Sequence, residues 1–124
     1  MKEQLITFET AKLAKEMGFQ SYTSFYYSEG MEIKGTKIGM HGNPNAYGGI
    51  SAPTQSLLQK WLREKHKIVV IPRYYHNEIA NGYVYDYRIT DIAGKYEDYG
   101  FVDDYKTYEE ALEEGLVAAL KIID

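Results

Sequence analysis

Catalysis in a small protein needs a nucleophile, a proton-transfer group or a metal ligand held close to a partner, so the scarce reactive side chains come first. The chain has three histidines, His41, His66 and His76, and no cysteine. None of the three lies within the few residues of another that zinc-ligand pairs require. Without cysteine there is no disulfide, no thiolate metal site and no thiol nucleophile. The acidic pairs Glu97-Asp98 and Asp103-Asp104 lack the spaced ligands and central glycine of a calcium loop. The stretch from Gly39 to Gly49 has neither nucleotide-binding spacing nor the Lys-Ser/Thr ending of a phosphate loop, and no serine stands in a nucleophile-elbow sequence. The expectation is a protein that is not an enzyme, with no catalytic residues, no metal and no cofactor.

Binding is the better-supported class. Thirteen of the 124 residues are tyrosine, and nine of these lie between Tyr74 and Tyr108. A ring that packs while its hydroxyl stays hydrated suits a half-buried β-surface. It also suits an interface, because it supplies contact area at low entropic cost. Tyr74, Tyr75, Tyr83, Tyr85 and Tyr87 therefore form the candidate surface for an unknown protein partner or for self-association. The competing reading packs the odd-numbered tyrosines beneath the helices. A second candidate is the basic segment 60–73, where Lys60, Arg63, Lys65, Lys67 and Arg73 stand against Glu64 alone. With Trp61, or Tyr74 and Tyr75, stacking on bases, this segment offers a nucleic-acid site. The overall balance opposes it: 14 basic against 18 acidic residues gives a net charge of −4. On the next strand Asp86 and Arg88 share a face and are placed to pair.

Three helices and two hairpins position these residues. The spacing predicts a helix over 8–17, capped by Thr7 and ended by Gly18. Tyr22–Tyr27 and Met31–Lys34 read as strands about a turn near Gly30. Residues 39–51 carry four glycines and no periodicity, and are expected to be a flexible loop. A second helix opens with Pro53 at its first position behind Ser51 or Ala52. Its apolar face is Leu57, Leu58, Trp61 and Leu62, and Gln55, Gln59, Lys60, Arg63 and Glu64 take the other. Lys65, His66 and Lys67 fall at its C-terminal end, where cations favour the dipole. Ile68–Ile71 is unbroken aliphatic sequence, which predicts a strand that is central or covered on both faces. Pro72 cannot donate to a ladder, so pairing stops there or the strand is an edge. Residues 83–90 alternate Tyr83, Tyr85, Tyr87, Ile89 with Val84, Asp86, Arg88, Thr90, and residues 68–75 and 83–90 are read as an antiparallel hairpin. A further strand piece is read at Tyr99–Val102. The last helix begins at Thr107, with Glu110 completing a capping box. Its stripe is Tyr108, Ala111, Leu112, Leu116, Ala119, Leu120 and Ile123, and Gly115 beside it marks close approach to the sheet.

The order α-β-β-α-β-β-α gives a single α+β domain over 1–124, a mainly antiparallel sheet with helices on one face. Ile68–Ile71, the longest aliphatic run, is far short of the ~20 residues of a membrane span. Met1-Lys2-Glu3-Gln4 opens no signal sequence, so the expected setting is cytoplasmic, with no membrane contact.

Two stretches, Ser51–His66 (SAPTQSLLQKWLREKH) and Tyr105–Leu116 (YKTYEEALEEGL) with Ala118-Ala119-Leu120, together resemble a group of small uncharacterised proteins of gut Bacteroides-type bacteria and their phages and prophages. Thr7–Glu16 carries a weaker part of the same resemblance. It implies a phage or prophage accessory protein in a cytoplasmic setting and brings no catalytic residues with it. The opening Thr107–Leu112 is also similar to a helix in the antitoxin half of some toxin–antitoxin pairs, which implies an antitoxin-like partner-binding protein.

Overall fold

The computed structural model describes residues 4–19, 23, 25–28, 30–35, 49–79, 82–91 and 105–123. In chain order these form α1 (Phe8–Glu16), β1 (Phe25–Tyr27), β2 (Ile33–Gly35), β3 (Ile50–Ser51), α2 (Gln55–His66), β4 (Ile68–Asn77), β5 (Gly82–Asp91) and α3 (Tyr108–Ile122). The fold class is α+β, with three helices and antiparallel strands among the described residues. The strands belong to two sheets, ordered β2-β1-β3 and β4-β5. The chain divides into two compact units, residues 1–57 and 58–124.

In the first unit Thr7 caps α1: its side chain accepts from the Thr10 N–H at 3.3 Å. Gly18 ends the helix at φ +96°. Phe19 N–H reaches the Ala14 carbonyl and Gly18 N–H the Lys15 carbonyl, the paired bonds of a left-handed helix stop. Phe19, Ala11 and Ala14 are buried there with Ile6 and Ala52. β1 and β2 form the expected hairpin, closed by Met31 N–H on the Ser28 carbonyl with Met31 at φ 66°. β3 adds to the other edge of β1, Tyr26 facing Ser51 and Tyr27 facing Ile50. Thus the end of the expected loop is a strand, and the rest of that loop, 39–48, lies outside the described residues.

α2 begins two residues later than the proline position suggests. Thr54, not Ser51 or Ala52, supplies the cap, its hydroxyl accepting from Leu57 N–H at 3.2 Å. Pro53 is held before the helix because its carbonyl takes the Ile6 N–H, while the Gln55 N–H goes to the Gln4 carbonyl. The buried face is also rotated from the expected one. Leu58 and Leu62 are fully buried and Gln55 is 4% exposed, whereas Leu57 is 38% exposed. Gln59 turns inward as well, donating from Nε2 to the Val70 carbonyl at 2.6 Å. Lys67 closes α2 at φ 59° and β4 follows at once.

In the second unit β4 and β5 pair through ten residues each, from Ile68 with Asp91 to Asn77 with Gly82. The hairpin is longer than its expected strands, and Pro72 does not interrupt it. Tyr85 exchanges both main-chain bonds with Tyr105 on its other side, at 2.8 and 2.7 Å. Its pair with Tyr74 is therefore a non-hydrogen-bonded one, and Pro72–Tyr87 has the same phase. The nitrogen of Pro72 points away from β5, and its missing N–H costs that ladder nothing. Among the described residues β4 is an edge of its sheet rather than a central strand, and Ile71, on the face away from α3, is 44% exposed. An unbroken aliphatic run does not by itself separate a buried strand from an edge strand with one face covered.

α3 covers that face. Thr107 caps it, accepting from Glu110 N–H at 3.1 Å. Ala111, Leu112, Leu116, Ala119 and Leu120 are buried, with Ile68, Val70 and Ile89 of the sheet. The strand piece read at 99–102 lies outside the described residues.

Candidate functional site

Antiparallel register sorts the tyrosines. Residues directly opposite share a face, so Val70, Pro72, Tyr74 and His76 stand with Ile89, Tyr87, Tyr85 and Tyr83 on the face that α3 covers. Arg73 and Tyr75 stand with Asp86 and Val84 on the other. The five candidate tyrosines therefore do not form one patch. Tyr87 packs against α3 at Gly115. Tyr85 is half-buried and meets Tyr108 of α3 edge-on at 6.3 Å. Tyr74 and Tyr83 lie beyond this contact, 59% and 61% exposed, and Tyr75 is exposed on the opposite face.

What the structure brings together is a ladder of rings. Tyr108, Tyr85, Tyr74, Tyr83 and His76 follow one another along the hairpin. Tyr74 stacks on Tyr83 with ring centres 4.9 Å apart and planes 11° from parallel. Tyr74 meets Tyr85 at 4.9 Å, and His76 meets Tyr83 edge-on at 5.1 Å. Non-hydrogen-bonded pairs bring side chains close, and diagonal neighbours remain within reach of aromatic rings. Beyond the ladder the turn presents Ile79, 99% exposed. Sequence reasoning missed Tyr108, His76 and Ile79 as parts of this surface. The signal for His76 was its spacing of two from Tyr74. Tyr108 was assigned to the buried stripe of its helix, but it sits in the first turn and is 44% exposed.

The basic residues of 60–73 are not gathered in the same way. Lys60 lies 3.8 Å from Glu64 on the exposed face of α2, and Lys67 Nζ donates to the Glu64 carbonyl. Lys65 is exposed and Arg63 half-buried. Arg73 is committed elsewhere. Its Nε and Nη2 donate to the two carboxylate oxygens of Asp86 at 2.8 and 2.6 Å, a bidentate pair whose acid is buried. The register sets Arg73 directly opposite Asp86, the acid that shares a strand face with Arg88. Trp61 is half-buried and turned edge-on to His66 at 4.7 Å. Burial, helped by the neighbouring charge of Lys65, holds the His66 pKa below its ordinary 6.5, although a helix C-terminus by itself favours the cation.

A hollow of about 210 Å³ in the first unit is walled by Leu5, Phe25, Ala52, Pro53 and Leu57 with Thr23 and Thr54, and among the described residues no titratable side chain lines it. Among the described residues no group of three acidic or histidine side chains clusters as metal ligands, and no helix is long and apolar enough to cross a membrane. His41 lies outside the described residues. Compared with protein-family models, with curated proteins and with solved structures, the chain matches none of them.

Proposed function

We propose that this chain is a small protein-interaction module, an accessory protein of phage or prophage type that acts in the cytoplasm without catalysing a reaction. Its binding surface is the outer part of the β4–β5 hairpin, centred on Tyr74 and Tyr83. The observation that carries the reading is the stacked pair itself: two large rings, each about three-fifths exposed, held parallel by strand register. Rings fixed by the sheet lose little freedom on binding, which is the property that makes tyrosine an efficient contact residue. Ile79 and Tyr75 enlarge the exposed apolar area around them, and such areas on small domains mark interaction sites. The dispersal of the basic residues, with Arg73 neutralised by Asp86, favours a protein over a nucleic acid.

The test is capture from a host lysate by the tagged chain and by its Tyr83→Ala variant, with nuclease and at two salt concentrations. A partner retained through nuclease and salt, and lost with Tyr83→Ala, supports the reading. A partner released by nuclease, or one that weakens steeply with salt, moves the function to the segment 60–73, because phosphate binding is salt-dependent.

A further inference from the structure

The outer edge of β4 carries a second, independent feature. The phase fixed by Tyr85 and Tyr105 points the main-chain groups of Val70, Pro72, Tyr74 and His76 away from β5. The base of that edge is closed: Gln59 holds the Val70 carbonyl at 2.6 Å, and Pro72 offers no N–H. From Pro72 to His76 the outward groups meet no partner among the described residues. Exposed edges of this kind are templates for strand addition.

We propose that this edge pairs with the same edge of a second copy of the chain, antiparallel about a two-fold axis at Tyr74. In that register Tyr74 of each copy donates to and accepts from the Tyr74 of the other. Each His76 N–H meets the Pro72 carbonyl of the other copy, and the position where Pro72 lacks a donor falls opposite the His76 carbonyl, a group that can take water instead. The arrangement is isologous, as closed dimers require. Side chains agree with it on both faces. Tyr74 meets Tyr74, so the two ring ladders become continuous across the axis. On the other face Tyr75 lies opposite Arg73 of the second copy, whose guanidinium stays on Asp86, so no like charges are opposed there. The product is a sheet of order β5-β4-β4-β5.

The test uses the whole chain in sedimentation velocity from about 10 µM to about 1 mM, the range of small, weak interfaces. The expected result is a monomer that becomes a dimer as concentration rises. His76→Pro removes the outward N–H without touching the β4–β5 ladder, as Pro72 already shows, and weakens the dimer by on the order of tenfold or more. His76→Ala keeps the N–H and dimerises within about threefold of the parent, which separates the main chain from the ring. Amide exchange of Tyr74, followed in the parent protein, slows with rising concentration. A chain that stays monomeric throughout, or a dimer that His76→Pro leaves intact, overturns the proposal. The binding reading above fails on a different result, capture that survives Tyr83→Ala, so the two are distinguishable.

Discussion

A methyl group placed on Gly115 of α3 would lie 2.7 Å from Cγ1 of Val70 in β4 and 3.1 Å from Cγ of Tyr87 in β5. The helix is seated on the sheet at a distance that leaves no room for a β-carbon. Glycine costs about 1 kcal/mol against alanine inside a helix, and this one is retained where the contact needs it. Gly115→Ala is expected to destabilise the protein by about 1–3 kcal/mol, since overpacking outweighs the gain in helix propensity. Urea unfolding that shows the variant equal to or more stable than the parent would mean the seat is looser than described.

That contact also shows where the sequence is informative and where it stops. Gly115 beside an apolar stripe reads as close approach, and the caps Thr7 and Thr107 and the stop at Gly18 read equally directly, because each is a local interaction within a few residues. The start and rotation of α2 do not. The start is set by Gln4, Leu5 and Ile6, which take up the main chain at Pro53–Gln55, and Gln59 is turned inward by its bond to the Val70 carbonyl; no periodicity inside residues 53–66 contains that information. The candidate site divides along the same line. The alternation of 83–90 and its pairing with 68–75 are legible in the two-residue period, and so is a tyrosine face. Which tyrosines stay exposed depends on how far α3 extends along the hairpin, and which acid meets Arg73 depends on register.

The Arg73–Asp86 pair gives a second prediction. Asp86 has 5% of its side chain exposed and Arg73 has 37%. Arg73→Ala leaves a buried carboxylate without its bidentate donor and is expected to cost about 2–3 kcal/mol, less than for a fully buried pair because Arg73 is in part solvated. The joint replacement Arg73→Met with Asp86→Leu is expected to recover most of that loss, because no charge is then left uncompensated. A double-mutant cycle in chemical denaturation measures the difference, and a double variant as unstable as Arg73→Ala would show that the pair is not the source of the cost.

Lys67 occupies the left-handed region at the junction of α2 and β4, at φ 59°. A side chain there costs about 1–2 kcal/mol relative to the helical region, and glycine escapes most of that. Lys67→Gly is therefore expected to be more stable than Lys67→Ala by about 1 kcal/mol. Comparing these two variants cancels the loss of the lysine's charge at the helix end and its bond to the Glu64 carbonyl. Equal midpoints in thermal unfolding would argue against the strained junction.

His66 makes stability depend on pH in a stated direction. Burial chiefly, and Lys65 in addition, hold its folded pKa below the ordinary 6.5. The unfolded chain then binds the proton more readily than the folded one, so stability rises with pH in this range. The contribution is complete above pH 6.5 and is lost as pH falls from 6.5 through the lower folded value. Thermal unfolding at pH 7.5 and 5.5 is expected to show a drop in the parent that is smaller in His66→Gln. The carboxylates common to both proteins contribute equally to the two curves, so an identical drop in both would remove His66 as the cause.

The ring ladder predicts that stability and binding separate along one strand. Tyr87 lies under α3, and truncating it to alanine removes packing against Gly115, for an expected loss of about 2–4 kcal/mol. Tyr83 is 61% exposed and its contacts are ring to ring, with Tyr74 and His76. Such pairs are worth about 0.5–1.5 kcal/mol each, so Tyr83→Ala, which removes two exposed ones, is expected to lose about 1–2 kcal/mol. If the exposed rings bind a partner, capture follows the opposite order: Tyr83→Ala abolishes it in a folded protein, whereas Tyr87→Phe, which keeps the ring beneath the helix, leaves it unchanged. Equilibrium unfolding and capture measured on the same preparations decide the matter. A Tyr83→Ala protein that loses as much stability as Tyr87→Ala would place its ring in the core, and the surface would then have no claim to a partner.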